Sequence, residues 1–233
     1  MAQEQVTVWA RPERGTRGPA AVHSRAELAA AAVALADRDG LAAASMRGVA
    51  RALGTGQASL YRYISGRDDL LDLMTDAVAG EVRLDIPLSG DPVEDLVALA
   101  SRTKAVHLRH PWLSDIPPEP LRLGPRGLDH LEYALSALAS APLPGRVKME
   151  IIGLMNALVA QFARTELQES RGRPGRREAQ TAYLSGAAAR GAHPRIAAAL
   201  AHGAGAGPAQ LPAELFEGMM RRVLDGLLAS GPS

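Results

Sequence analysis

The chain is predicted to be all-α, with an N-terminal three-helix helix-turn-helix domain followed by a larger helical bundle. Three observations predict this. Apolar residues recur at i, i+3 and i+4 along most of the 233 residues. Ser or Asp caps and Gly stops punctuate that pattern at helical lengths. Residues 46–69, MRGVARALGTGQASLYRYISGRDD, read as two short helices around a tight turn. That is the layout by which a helix is offered to the major groove of DNA.

The elements follow in order. Residues 1–22 form a Pro/Gly-rich basic arm, expected to be flexible, that carries Arg11, Arg14 and Arg17. Ser24-Arg25-Ala26-Glu27 is a capping box, with Ser at the cap and Glu three residues on. It opens a helix to about residue 37 with Leu28, Ala31, Ala32 and Leu35 on one face. Asp39-Gly40 stops it, since Gly accepts the left-handed conformation. Ser45 caps the next helix, residues 47–53, which turns Val49, Ala50 and Leu53 inward. Gly54-Thr55-Gly56 is too tight a turn for large side chains. A second short helix, residues 57–64, buries Leu60 and Ile64 and leaves Gln57, Ser59, Tyr61, Arg62 and Tyr63 outward or sideways. Residues 65–68 then cap a longer helix to about residue 82, with Leu70, Leu71, Leu73, Met74 and Val78 as its core side. Residues 23–82 therefore make one small module.

Residues 91–230 read as a second, all-helical unit. Asp91-Pro92-Val93-Glu94 gives a cap, Pro at the first helical position and Glu at the third. That helix runs to about Arg109, and Pro111 ends it. Residues 128–139 place Leu128, Leu131, Leu135 and Leu138 as a face. Residues 144–169 are long and nearly apolar from Met149 to Ala163, so this helix is expected at the centre. Shorter helices at residues 178–189 and 194–201 lead to a Gly-rich break. A closing helix, residues 212–229, carries Leu215, Met219, Val223 and Leu227 on one side.

At residues 24–82 the sequence resembles the DNA-binding domain of the tetracycline-repressor family of bacterial regulators. The likeness is carried by Ala31-Ala32 with Leu35, Asp39-Gly40-Leu41, Ser45-Met46-Arg47-Gly48-Val49-Ala50, Leu53-Gly54, Ser59-Leu60-Tyr61-Arg62-Tyr63 and Asp69-Leu70-Leu71. Thr55 stands where the family mostly has an aliphatic residue, and Gly56 where Ser or Thr usually caps the reading helix. Gly is a tolerable cap. His110-Pro111-Trp112-Leu113, Leu123-Gly124-Pro125 and the closing helix from Glu214 resemble the family's effector domain. The resemblance implies a homodimer on a palindromic double-stranded DNA operator, released by a small-molecule effector, with no cofactor and no catalysis.

Roles on DNA follow from residue chemistry at these positions. Arg47 suits a guanine edge, which offers two acceptors to a guanidinium fork. Gln57, Ala58 and Ser59 open the reading helix and are expected at bases, with Ala58 suited to a thymine methyl. Tyr61, Tyr63 and Arg67 are expected on the phosphates and Arg62 at a base or a phosphate, and Ser45, the helix cap, belongs to the same DNA-binding set. For both tyrosines the competing reading is packing at the edge of the small domain. Arg11, Arg14 and Arg17 suit a narrow minor groove, or else belong to a plain tail. Arg171-Gly172-Arg173-Pro174 spells a minor-groove hook but sits in a solvated loop of the second unit.

An effector pocket is expected among the helices of the second unit, at polar or aromatic groups in apolar surroundings: His107, Trp112, Tyr133, Asn156, Gln161 and Phe162. Asn156 leads, because an unpaired amide in mid-helix costs a few kcal/mol. Its partner is either a ligand or a neighbouring helix. Two-fold pairing is expected through the closing helix and residues 182–189, where Gly186, Ala187 and Gly218 allow close approach beside Leu215, Met219 and Val223.

Composition excludes several classes. No cysteine means no disulfide framework and no thiolate metal site. No apolar run reaches membrane-spanning length, and the N-terminus lacks the apolar stretch of a secretory signal, so cytoplasmic residence is expected. The formal net charge is only +1, but distribution matters more than the total. Residues 1–67 hold nine arginines against five acids, while Asp68, Asp69, Asp72, Asp76, Glu81 and Asp85 follow on the helix leading away. An all-helical enzyme is the rival from another class. It has no nucleophile-base pair or phosphate loop to stand on. His107 and His110 at i, i+3 lack a third metal ligand. A sequence-independent DNA-bending protein would need a larger basic excess.

Overall fold

The computed structural model describes residues 7–11, 23–117, 122–171, 175–203 and 212–229. Among the described residues there are ten α-helices, two short 3-10 turns and no strand.

The reading module holds α1 (Arg25–Asp39), α2 (Met46–Ala52), α3 (Gln57–Leu60) and α4 (Arg67–Ala79). Ser24 caps α1 in a reciprocal capping box with Glu27, and Gly40 ends it at φ 83°. Leu28, Ala32 and Ala36 of α1 are buried with Val49, Leu60, Ile64, Leu70 and Met74 in one core. Small residues on α1 let α4 lie along it, the most extensive helix pairing in this half. A single apolar core thus fixes the pose of α3, which is too short to hold itself.

The second unit holds α5 (Pro92–Arg109), α6 (Pro125–Ala137), α7 (Gly145–Arg171), α8 (Arg176–Ala189), α9 (Pro194–Gly203) and α10 (Pro212–Ala229). α5 is capped by Asp91, which accepts from the backbone N–H of Val93 and Glu94. α5, α7 and α10 pack together around Leu96, Leu99, Ile151, Met155, Val159, Phe216 and Leu224. Lys104 sits inside this seam, where its ammonium meets Glu166 at 2.6 Å and lies over the Phe216 ring. None of the described helices is long and apolar enough to cross a membrane.

Three expectations change. The helix expected over residues 128–139 starts earlier, at Pro125, and its buried side is shifted away from Leu128. His130, Ala134, Ala137 and Leu138 turn inward, whereas Leu128 is 55% exposed. Small residues and a histidine join Leu131, Leu135 and Leu138 on the side of α6 that meets its neighbours. The second helix of the pair is only Gln57–Leu60, continued by turns through Tyr63. Within the expected flexible arm, residues 7–11 are packed on the body of the protein. Val8 is fully buried, and Trp9 packs at Gly124 ahead of α6. Residues 12–22, with Arg14 and Arg17, lie outside the described residues.

A candidate DNA-reading face joined to an effector cavity

The reading face is built from the turn upward. Ser45 spends its hydroxyl as a cap, accepting from the backbone N–H of Gly48 at 3.1 Å. Gly48 is required there, because a Cβ would collide with the Ala43 carbonyl oxygen. Gly54 turns the chain at φ 65°, a conformation that favours glycine. The Thr55 N–H closes the turn on the Ala50 carbonyl at 2.9 Å. Leu60 and Ile64 then anchor the second helix, so Gln57, Ala58, Tyr61 and Arg62 are exposed with Ser59 half-buried between them. Arg47 and Arg67 are exposed on the flanking helices.

Tyr63 and Arg11 are placed differently from the sequence reading. The Tyr63 ring is buried, its hydroxyl oxygen accepts from the His23 N–H at 3.1 Å, and its carbonyl accepts from Arg25. It packs under the face because α3 ends before it, which turns residue 63 inward. Arg11 pairs with Asp69 of α4 instead of reaching outward. Burial pushes the Asp69 carboxyl up, but hydrogen bonds from the backbone and hydroxyl of Ser65, with Arg11, outweigh it and hold it below the usual value.

α4 carries this face into the second unit. Asp76, in the last turn of α4, accepts from the backbone N–H groups of Arg126 and Gly127 at 2.9 and 3.0 Å. It closes the first turn of α6, whose own cap residue, Gly124, offers no side chain. A second joint lies at the far end of α4. The buried His110 ring bridges Asp37 of α1 at 2.7 Å and Glu81 at 3.1 Å, and Trp112 donates to the same Asp37 oxygen.

A cavity of about 440 Å³ lies between these joints, lined by α4, α5, α6 and α7. Val78, Val82, Val106, Leu113, Ile116 and Leu123 make its walls aliphatic. Of the residues expected in a pocket, the structure brings together His107 and Asn156 there. Burial, with His110 nearby, pushes the His107 imidazole below its usual value, and its Nδ1 has no partner among the described residues. The Asn156 Oδ1 is likewise sealed and unbonded.

The other four stand elsewhere. Trp112 is buried on Asp37, and Tyr133 donates to the Ile86 carbonyl beneath the Arg102 guanidinium. Phe162 packs edge-on against Phe216, and Gln161 is exposed beside Thr165. Sequence reasoning missed Thr75, Thr103, Arg122 and His130, which also line the cavity. Burial lowers the His130 imidazole too. Its signal was a histidine four residues before Ala134 on a helix of small inward residues. No group of three or more metal-ligating side chains occurs among the described residues.

The family description "Tetracyclin repressor-like, C-terminal domain" matches residues 87–230, and "Bacterial regulatory proteins, tetR family" matches residues 28–74. The chain belongs to the tetracycline-repressor family. Among its curated relatives, the HTH-type transcriptional repressor DrrR1 of Streptomyces coeruleorubidus is 36% identical over 176 residues, 74% of this chain. An HTH-type transcriptional regulator of Saccharopolyspora erythraea is 38% identical over 134 residues, 58% of this chain. The chain spans 65% and 56% of the lengths of these two relatives. Among solved structures, apo ActR of Streptomyces coelicolor superposes with a TM-score of 0.75 at 28% identity, covering 93% of this chain and 100% of ActR. ActR in complex with (S)-DNPA and with actinorhodin superposes at 0.74 in each case. The tetracycline-repressor fold therefore extends through both halves of the chain.

Proposed function

We propose that the chain is a cytoplasmic transcriptional repressor that binds a palindromic double-stranded operator as a homodimer and is released by a small-molecule effector. The observation that carries the reading is the direct linkage of the two sites through α4. α4 packs along α1 in the core that also buries Leu60 and Ile64 beneath the reading helix, and its C-terminal half, with Thr75, Val78 and Ala79, forms a wall of the cavity. In this reading residues 23–82 are the DNA domain and residues 91–230 the effector and dimerisation domain. Arg47, Gln57, Ala58 and Ser59 meet bases. Tyr61 and Arg67 hold phosphates, and Arg62 joins either set. Ser45 and Tyr63 act from below, as a cap and a packed support.

Dimerisation is needed because one helix-turn-helix reads only a few base pairs. Leu215, Met219 and Val223 on α10 are each more than a third exposed, about 100° round the helix from the buried Phe216, Met220 and Leu224. With Gly218 and with Gly186 and Ala187 of α8 they offer a face for a second copy. That ActR holds small molecules supports an effector in the corresponding cavity here. A ligand favours one spacing of the two reading heads, and operator release is the resulting population shift. Selection of bound duplexes from a random library at near-physiological salt tests the DNA half of the reading. Enrichment of a palindrome is expected, and recovery of unrelated sequences would overturn it.

A further inference from the structure

Several polar groups of the cavity offer acceptors, beside the N–H donors of Arg122 and the Asn156 amide. The Thr75 hydroxyl donates to the carbonyls of Leu71 and Asp72, so only its lone pairs face the cavity. The Thr103 hydroxyl donates to the Leu99 carbonyl at 2.9 Å and meets His130 Nε2 at 3.1 Å. Since its proton is spent, the Thr103 oxygen accepts there and His130 Nε2 carries the hydrogen. His130 Nδ1 is then an acceptor as well. Asn156 Oδ1 is an acceptor sealed from solvent and unbonded among the described residues. His107 Nδ1 takes either role by choice of tautomer.

Charge is balanced before any ligand arrives. Among the described lining residues, Arg122 is the permanently charged side chain, and it pairs with Asp72 at 2.5 Å and Asp68 at 3.8 Å. No carboxylate belongs to the described lining. Within this described lining an anion would meet no cation that is not already paired, and a cation would meet no carboxylate. Burying an unpaired charge is far more costly than burying a hydroxyl that finds an acceptor. Among the described lining residues there is no Phe, Tyr or Trp, so the walls hold a ligand by aliphatic contact.

We infer that the cavity selects an uncharged, mainly apolar molecule that donates hydrogen bonds, through a hydroxyl group accepted by Asn156 Oδ1 with Thr75 and the imidazoles beside it. This inference rests on the cavity being the effector site. It adds the chemical class of the effector and names Asn156 as the residue that determines specificity. A donor that satisfies a sealed acceptor gains both the bond and the relief of the orphan.

A matched fluorescent series on one scaffold tests it with the full-length protein: 1-hydroxypyrene, 1-methoxypyrene, 1-pyrenecarboxylate and 1-pyrenemethylammonium. The hydroxyl probe is expected to bind about tenfold or more tightly than the methoxy probe, and than either ion. In Asn156→Leu that preference is expected to shrink to about twofold, with methoxy binding kept or improved. Thr75→Val, nearly isosteric, reports on a second acceptor should the leucine variant fold poorly, and operator binding checks that each variant is folded. Equal affinity for hydroxyl and methoxy probes, or tightest binding of an ion, would overturn the inference while leaving the effector site in place. No binding of any probe, with operator binding intact, would overturn both the inference and the effector reading.

Discussion

Asp76 and Gly124 occupy each other's place. Asp76 of α4 supplies the acceptor that α6 needs at its first turn, and Gly124 supplies the space for it. A Cβ on Gly124 would collide with the Asp76 carboxylate and the Trp9 ring. The lever helix of the reading module is thereby fastened to a wall of the effector cavity by hydrogen bonds rather than by apolar packing alone.

Asp76→Ala is expected to lower stability by about 1–2 kcal/mol, the usual worth of a lost cap that leaves N–H groups unmet. It should also blunt the effector response more than it weakens operator binding. Asp76→Asn keeps one acceptor and should fall between. Chemical denaturation and operator titrations with and without effector check both effects. A variant with lowered stability but a full response would remove Asp76 from the coupling.

Tyr61 and Tyr63, two residues apart, should behave oppositely. Tyr61 is 54% exposed and Tyr63 is 5% exposed. Tyr61→Phe should weaken operator binding several-fold with no change in melting temperature. Tyr63→Phe leaves the His23 N–H without its acceptor and should cost roughly 1 kcal/mol of stability. Thermal melts paired with DNA binding on each variant separate the two roles.

Acid should destabilise the chain before its ordinary carboxylates titrate. Burial lowers the His107 and His130 imidazoles from 6.5, so the folded state refuses protons that the unfolded chain accepts. Their contribution is fully present above 6.5 and is lost as pH falls through the folded values. Asp76, raised by burial, acts in the opposite sense. The melting temperature should drop between pH 7.5 and 5.5, and His130→Gln should flatten that drop. A flat wild-type profile would contradict the burial argument.

Met219→Glu places a charge on the exposed face of α10. It should shift the protein to monomers in sedimentation and weaken operator binding by a hundredfold or more, because each half-site then binds alone. Unchanged dimer would move the two-fold interface off this helix.

Much of the reading half was legible because its signals are local. The Ser24–Glu27 box, the Ser45 cap and the glycine turns each act within a few residues. Tyr63 was not legible, since whether it packs or projects depends on where α3 ends, and that is settled by the core. The cavity was least legible. Thr75, Thr103, His130 and Asn156 come from four helices, and no spacing in sequence relates them. Val8 and Trp9 were missed because two apolar residues in a Pro/Gly-rich stretch carry no periodicity, though they find a site at the joint of α4 and α6.

The central claim is that filling the cavity changes how the chain holds DNA. Its most direct test is operator affinity measured with and without a saturating ligand whose binding to the cavity has been confirmed by calorimetry. The account predicts at least about a tenfold weakening, a coupling of the size common between linked sites. Equal affinity in the two states would contradict it.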